Sequence, residues 1–106
     1  MEYILAHDLG TSGNKATLFS TEGELIASVT YPYPTSYPYD TWVEQNPEDW
    51  WQAVIDTTRT LISGIDSRKI IGVSFSGQMM GCICVDKAGT PLRPAIIWAD
   101  MRADKQ

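Results

Sequence analysis

Residues Tyr3 to Ser20, YILAHDLGTSGNKATLFS, run from an apolar stretch into Asp8, through a loop of small residues, and out along a second apolar stretch. Tyr3, Ile4 and Leu5 are strand formers, and so are Thr17, Leu18 and Phe19. The segment therefore reads as a β-hairpin whose tip, Gly10, Thr11, Ser12 and Gly13, carries no bulky side chain. Two glycines at such a tip permit backbone angles that other residues avoid. Successive N–H groups can then turn towards one anion, with the Thr11 and Ser12 hydroxyls as further donors. The hairpin is read as a phosphate turn. A carboxylate at Asp8 would repel a phosphate unless a divalent cation or a water lay between them, and Mg²⁺ shared by one or two carboxylates and phosphate oxygens is the usual arrangement. Lys15 supplies compensating positive charge. Small-residue tips also occur in hairpins that bind nothing. Two other phosphate motifs are excluded: Lys15 is followed by Ala16, so there is no G-x-x-x-x-G-K-[ST], and no G-x-G-x-x-G opens a helix.

Beyond the hairpin, Thr21 to Glu24 reads as a turn and Leu25 to Thr30 as a third strand, giving a three-stranded antiparallel meander. Tyr31 to Asp40, YPYPTSYPYD, holds three prolines and four tyrosines, which exclude a helix and favour an extended connector. A helix then starts with Asn46 as N-cap, Pro47 at its first position and Glu48 and Asp49 in its first turn. Trp51, Val54, Ile55, Thr58, Leu61 and Ile62 recur at helical spacing and predict the buried stripe, with Trp50 beside it as a packing residue and Ser63 and Gly64 as the stop. Ile70 to Ser76, IIGVSFS, is an apolar run of strand length. A strand, helix, strand order makes it parallel to the first strand, so that its carboxyl end lies on the same edge as Asp8. The loop Ser76 to Gly81 then leaves from that edge, where ligands collect in sheets with parallel strands. Cys82 to Val85 reads as a short strand, Asp86 to Gly89 as a turn and Pro91 to Trp98 as an extended return.

The chain has 106 residues, of which 43% are hydrophobic and 20% charged, an ordinary globular balance for one domain or part of one. A net charge of −5 and a pI near 4.6 argue against non-specific binding to nucleic acid or to an anionic membrane. No apolar run approaches the roughly 20 residues that span a bilayer, and the N-terminus lacks a signal-peptide pattern, so a cytoplasmic location is expected. Cys82 and Cys84 are read as reduced core thiols on one strand face. A C-x-C pair with His7 as the chain's single histidine gives little support for a metal site. His7 itself points away from the Asp8 side by strand alternation and is read as structural.

Four stretches carry a resemblance. DLGTSGNKA at Asp8 to Ala16, VEQNPEDWW at Val43 to Trp51, SGQMMG at Ser76 to Gly81 and RPAIIWADMRA at Arg93 to Ala103 resemble, in order and spacing, the beginning of FGGY-family carbohydrate kinases, the xylulokinase-like branch above all. The resemblance implies an α/β, ribonuclease-H-like architecture of the actin-like ATPase superfamily: an antiparallel meander plus a helix and a parallel strand. It further implies that residues 1–106 are the N-terminal part of the first of two actin-like domains, hence an incomplete domain. The implied activity is ATP- and Mg²⁺-dependent phosphorylation of a sugar or polyol hydroxyl, a pentulose such as xylulose first among them. A homodimer of the parent, and no nucleic-acid or membrane partner, complete the expectation. By position, Asp8 resembles the aspartate near Mg²⁺ and phosphates, Gly10, Thr11 and Ser12 the phosphate-facing loop, and Lys15 its basic residue. Gln78, Met79 and Met80 match the loop that touches the sugar, and Trp98, Asp100 and Arg102 the W-x-D-x-R signature on the substrate side. Where xylulokinase-like members usually have histidine in the sugar loop, this chain has Met80, a thioether in place of a hydrogen-bonding ring. The family's general base and adenosine contacts are expected downstream of these residues, leaving the 106-residue chain inactive alone. Two other readings remain open: a nucleotide-binding switch of the chaperone or actin type, which also opens on a D-x-G-T hairpin, and a fragment that binds without catalysis.

Overall fold

The computed structural model describes Met1 to Lys105; Gln106, the last residue of the predicted domain part, lies outside the described residues. Strands β1 (Tyr3–Leu9), β2 (Gly13–Ser20) and β3 (Leu25–Pro32) form the antiparallel meander, and β5 (Ile70–Gly77) pairs parallel to β1, giving the sheet order β3-β2-β1-β5. A two-residue strand β4 (Glu44–Gln45) pairs antiparallel with β6 (Ala95–Ile96). Helix α1 (Pro47–Ile62) links β4 to a short 3₁₀ turn at Ser67–Lys69 and β5. The hairpin, helix and parallel crossover read from the sequence are thus present. The third strand runs two residues further than expected, taking Tyr31 and Pro32 out of the connector.

The helix forms where its signals lie. Asn46 has extended backbone angles and its side chain accepts from the Glu48 N–H at 3.0 Å, while Pro47 occupies the first turn. Its buried residues are Ala53, Val54, Thr57 and Leu61, and it packs on β2 and β3 over a core of Leu5, Ala16, Leu18 and Leu61. This corrects the expected stripe. Trp51 is 60% exposed, and it is Trp50 that is half-buried. The small Ala53 and Thr57 let the helix lie close to the sheet, and that contact line, one position away from the predicted one, leaves Trp51 on the flank.

Two further expectations are corrected. Cys82 and Cys84 are exposed and free, their Sγ atoms 4.0 Å apart, and their segment makes single bridges to Ile96 and Pro91 rather than a strand in the core. Neither Gly10 nor Gly13 has a positive φ; among the described residues the glycines that do are Gly23 and Gly89, in the turns after β2 and after Asp86. Gly13 is needed for a different reason: a Cβ there would lie 2.6 Å from the Tyr31 carbonyl oxygen and 2.8 Å from Pro32 Cα, so its absence lets β2 and β3 meet.

Strand β5 is an open edge, with Ile71, Val73 and Phe75 exposed beside the helix. The radius of gyration, 16.3 Å, exceeds the roughly 13 Å of a compact chain of this length, in keeping with a sheet covered over only part of its area. Among the described residues, no helix is long and apolar enough to cross a membrane.

Candidate functional site

The parallel pairing of β1 with β5 decides where the site lies. In register, Asp8 stands beside Ser76 and Leu9 beside Gly77, so both strands deliver their following loops to one edge. The Gln78 N–H continues the ladder by donating to the Leu9 carbonyl at 2.8 Å, which starts the loop Gln78 to Gly81 against the hairpin tip. Trp98, which follows β6, reaches the same edge, and its Nε1 donates to Thr11 Oγ1 at 2.9 Å. The result is an open hollow of about 450 Å³. Asp8, Gly10 and Thr11 form its hairpin side, Gly77, Gln78, Met79 and Met80 its loop side, and Trp98 the third wall.

Strand alternation sends Asp8 to the exposed face while its neighbour His7 turns to the helix, where it is buried. The Asp8 carboxylate accepts one hydrogen bond, from Ser76 Oγ at 3.2 Å. Within the turn, the Gly10 N–H donates to the Gly13 carbonyl at 3.0 Å, so this N–H is used internally and the donors left to face an anion are those of Thr11 and Ser12. The Tyr33 hydroxyl donates to the Gly10 carbonyl and fixes the turn from beneath. Burial, and then the negative charge of Asp8, push the Tyr33 hydroxyl up to about 12, so it stays a donor across the neutral range. Met80 holds φ at 63°, a left-handed conformation unusual for its side-chain type, at the rim of the hollow.

Not every predicted residue reaches the hollow. Ser12 is exposed at the tip, with its carbonyl accepting from the Tyr33 N–H at 3.2 Å. Lys15 is the cross-strand partner of Asp8 and is exposed on the same face. Asp100 and Arg102 sit behind Trp98. Asp100 accepts from the Val43 N–H at 2.7 Å and from Arg102, and Arg102 bridges on to Glu44 at 2.7 Å with its guanidinium 3.8 Å from the centre of the Trp42 ring. Glu44, buried in β4, also accepts from Arg93. The Arg102 guanidinium holds the Asp100 carboxyl well below the usual carboxylate range, with the Val43 and Arg102 N–H groups adding to the effect, and Asp100 in turn raises Arg102 further. This is a bracing cluster that ties the segment after β6 to β4, more enclosed than a simple surface pair.

Sequence reasoning missed Gln45. It is 2% exposed, and its amide joins four groups: Nε2 donates to the Thr11 carbonyl (2.7 Å) and Thr35 Oγ1 (2.9 Å), and Oε1 accepts from Trp50 Nε1 (3.0 Å) and Gln78 Nε2 (2.8 Å). It also missed Ser76, Tyr33 and Glu44 as partners of the site. The adjacent Glu44 and Gln45 read as a polar lead-in to the helix, and only their pairing with Ala95 and Ile96 shows them to be a buried strand.

The arrangement suits a cation held through its ligand's oxygens. Among the described residues no group of three or more His, Cys, Asp or Glu side chains gathers to make a protein-only cage. The exposed carboxylate of Asp8, engaged only by a hydroxyl, is the kind of single carboxylate that Mg²⁺ takes together with waters and phosphate oxygens.

Comparison with known proteins shows the family and the fold. The N-terminal domain of the FGGY family of carbohydrate kinases matches residues 3–106. A xylulose kinase of Klebsiella pneumoniae is 44% identical over 100 residues, 93% of this chain and 20% of that protein. A gluconokinase of Bacillus subtilis is 39% identical over 102 residues, 96% of this chain and 20% of that protein. Among solved structures, a ligand-bound xylulose kinase from Lactobacillus acidophilus superimposes with a TM-score of 0.92 at 32% identity, over 98% of this chain and 21% of its own. This chain therefore spans about a fifth of the length of the relatives it matches. Its mixed sheet and crossover helix are part of the actin-like fold of these sugar kinases. With a family match over nearly every residue and the hairpin, loop and tryptophan brought to one edge, the chain belongs to the FGGY family of carbohydrate kinases.

Proposed function

We propose that the protein carrying this chain transfers the γ-phosphoryl group of ATP to a hydroxyl of a sugar or polyol, with a pentulose such as xylulose as the acceptor. The observation that carries the reading is the hollow shared by Asp8, Gly10 and Thr11 of the hairpin, the Gly77 to Met80 loop and Trp98. Phosphoryl transfer asks little covalent chemistry of a protein; it needs the acceptor oxygen held close to the phosphoryl group and the developing charge stabilised. In this reading Thr11 and Ser12 supply the donors to phosphate oxygens, Gly10 lines the turn with its own N–H held by the Gly13 carbonyl, and Lys15 adds positive charge on the face of Asp8. Asp8 is the residue that would hold Mg²⁺, directly or through water, and the ion would supply charge neutralisation. Gln78, Met79, Met80 and Trp98 contact the sugar, while Asp100 and Arg102 keep the Trp98 segment in place.

The test is ADP release by the full-length kinase over a panel of ketoses, polyols including glycerol, and gluconate. Stimulation by a pentulose is expected. No stimulation by any member of the panel overturns the reading, and stimulation by gluconate or glycerol alone overturns the pentulose assignment.

A further inference from the structure

A side-chain amide has two N–H donors and two acceptor positions, and Gln45 uses all four. Two of its partners can play one role only. The Thr11 carbonyl accepts and never donates; the Trp50 indole N–H donates and never accepts. Turning the Gln45 amide over would set oxygen against the Thr11 carbonyl and NH₂ against the indole N–H. Its orientation is therefore fixed by the chemistry of its neighbours.

The polarity passes on to Gln78. Because Gln45 offers an oxygen there, Gln78 must present its NH₂ group, at 2.8 Å, and keep its own Oε1 free. That oxygen is buried and has no protein partner, and Gln78 lines both the 450 Å³ hollow and a second of about 390 Å³ that shares Gly77 and Met80 with it. Nearby Met79 and Met80 bring thioethers, which have no donor to offer. An acceptor left unpaired inside a protein is destabilising and calls for an explanation; Asn14 Oδ1 is likewise unpaired, but Gln78, unlike Asn14, lines the hollow, where a bound hydroxyl can supply the partner.

We propose that Gln45 is a positioning residue: held by Thr11 and Trp50, it sets Gln78 as a hydrogen-bond acceptor for one hydroxyl of the substrate, so that the site selects compounds carrying a donor at that place. The inference rests on the sugar-kinase reading above. It also gives the phosphate hairpin and the sugar loop one shared amide, through the Thr11 carbonyl on one side and Gln78 on the other.

The test uses the full-length kinase, its best sugar or polyol, and a series of analogues each lacking one hydroxyl. In the unaltered enzyme, loss of one particular hydroxyl is expected to lower kcat/KM about tenfold or more, and Gln78→Ala to erase that difference. Gln45→Met, of similar length but without an amide, should raise KM for the complete substrate about tenfold, change kcat by less than about threefold, and erase discrimination at the same single hydroxyl. Trp50→Phe removes the indole donor while keeping an aromatic ring, though a smaller one, and should weaken that discrimination in part; it decides the matter if Gln45→Met does not fold. Discrimination that stays unchanged at every hydroxyl, whatever happens to thermal stability, overturns the positioning role. An unaltered enzyme that phosphorylates no sugar or polyol overturns instead the kinase reading on which the inference rests.

Discussion

Trp98 Nε1 donates to Thr11 Oγ1 across 2.9 Å, joining two residues 87 apart in the chain. An indole N–H can only donate, so the Thr11 oxygen is the acceptor here and its own proton is free to point elsewhere. In the proposed phosphate turn, that proton is the one able to meet a phosphate oxygen. Trp98→Phe keeps the wall and removes the donor. In the full-length kinase we expect a loss of about tenfold in kcat/KM for ATP. Thermal stability should change little, because Trp98 is 56% exposed. Equal kinetics for the two proteins would make the bond incidental.

Asp8 is exposed and holds a single hydrogen bond from Ser76, so its charge is not needed to keep β1 and β5 together. Asp8→Asn should therefore fold normally and still lose about 10²-fold or more in turnover, the scale of removing a preorganised electrostatic group. Circular dichroism and steady-state rates on the same samples separate the two effects. Near-normal turnover would show the carboxylate to be dispensable.

The hairpin, the parallel strand and the converging loops were legible because each rests on local signals: strand formers flanking small residues, an N-cap with Pro47, and an apolar run of strand length. What stayed hidden depends on contacts distant in sequence. The face of α1 that meets the sheet is chosen by how closely Ala53 and Thr57 can approach, and apolar spacing alone gave that place to Trp51. Gln45 is polar and precedes a helix, so its sequence context resembles a solvated loop, and the four partners that justify its burial lie at Thr11, Thr35, Trp50 and Gln78. The same holds for Asp100 and Arg102, whose motif suggested the substrate side. Their partners Val43 and Glu44 come from the other side of the helix in sequence.

Met80 stores backbone strain. With φ at 63° and the residue 90% exposed, it bears the cost of a left-handed conformation with little packing to offset it. Met80→Gly should raise the unfolding free energy by about 0.5–1 kcal/mol, the relief of strain being partly offset by the greater freedom of glycine in the unfolded chain. Chemical denaturation measures this directly. A lower midpoint in the variant would mean that the Met80 side chain contributes packing that its exposure does not suggest.

His7 makes stability depend on pH, and the hydrogen bonds give the sign. Thr57 Oγ1 donates to the Ala53 carbonyl at 2.7 Å, so its oxygen must accept from Asn14 Nδ2 at 3.1 Å, and that same NH₂ group faces His7 Nδ1 at 3.0 Å. Nδ1 is therefore the bare nitrogen, and Nε2 carries the proton towards Thr58 Oγ1 at 3.2 Å. A second proton at Nδ1 would confront the Asn14 amide, and burial already pushes the His7 pKa below its ordinary value. Above about pH 6.5 the ring is neutral in both the folded and the unfolded chain, and it contributes no pH dependence. Below that value the unfolded chain takes up a proton that the folded one refuses, so stability should fall as the pH is lowered from about 6.5 towards the depressed pKa. His7 is the chain's one histidine, which makes the window between pH 7 and 5.5 diagnostic. Urea unfolding across that window should show a decline in the unaltered protein. His7→Gln should be less stable at pH 7, having lost the stacking of the ring on Phe75 at 5.1 Å, but nearly flat with pH. Parallel curves for the two proteins would assign the decline to other groups.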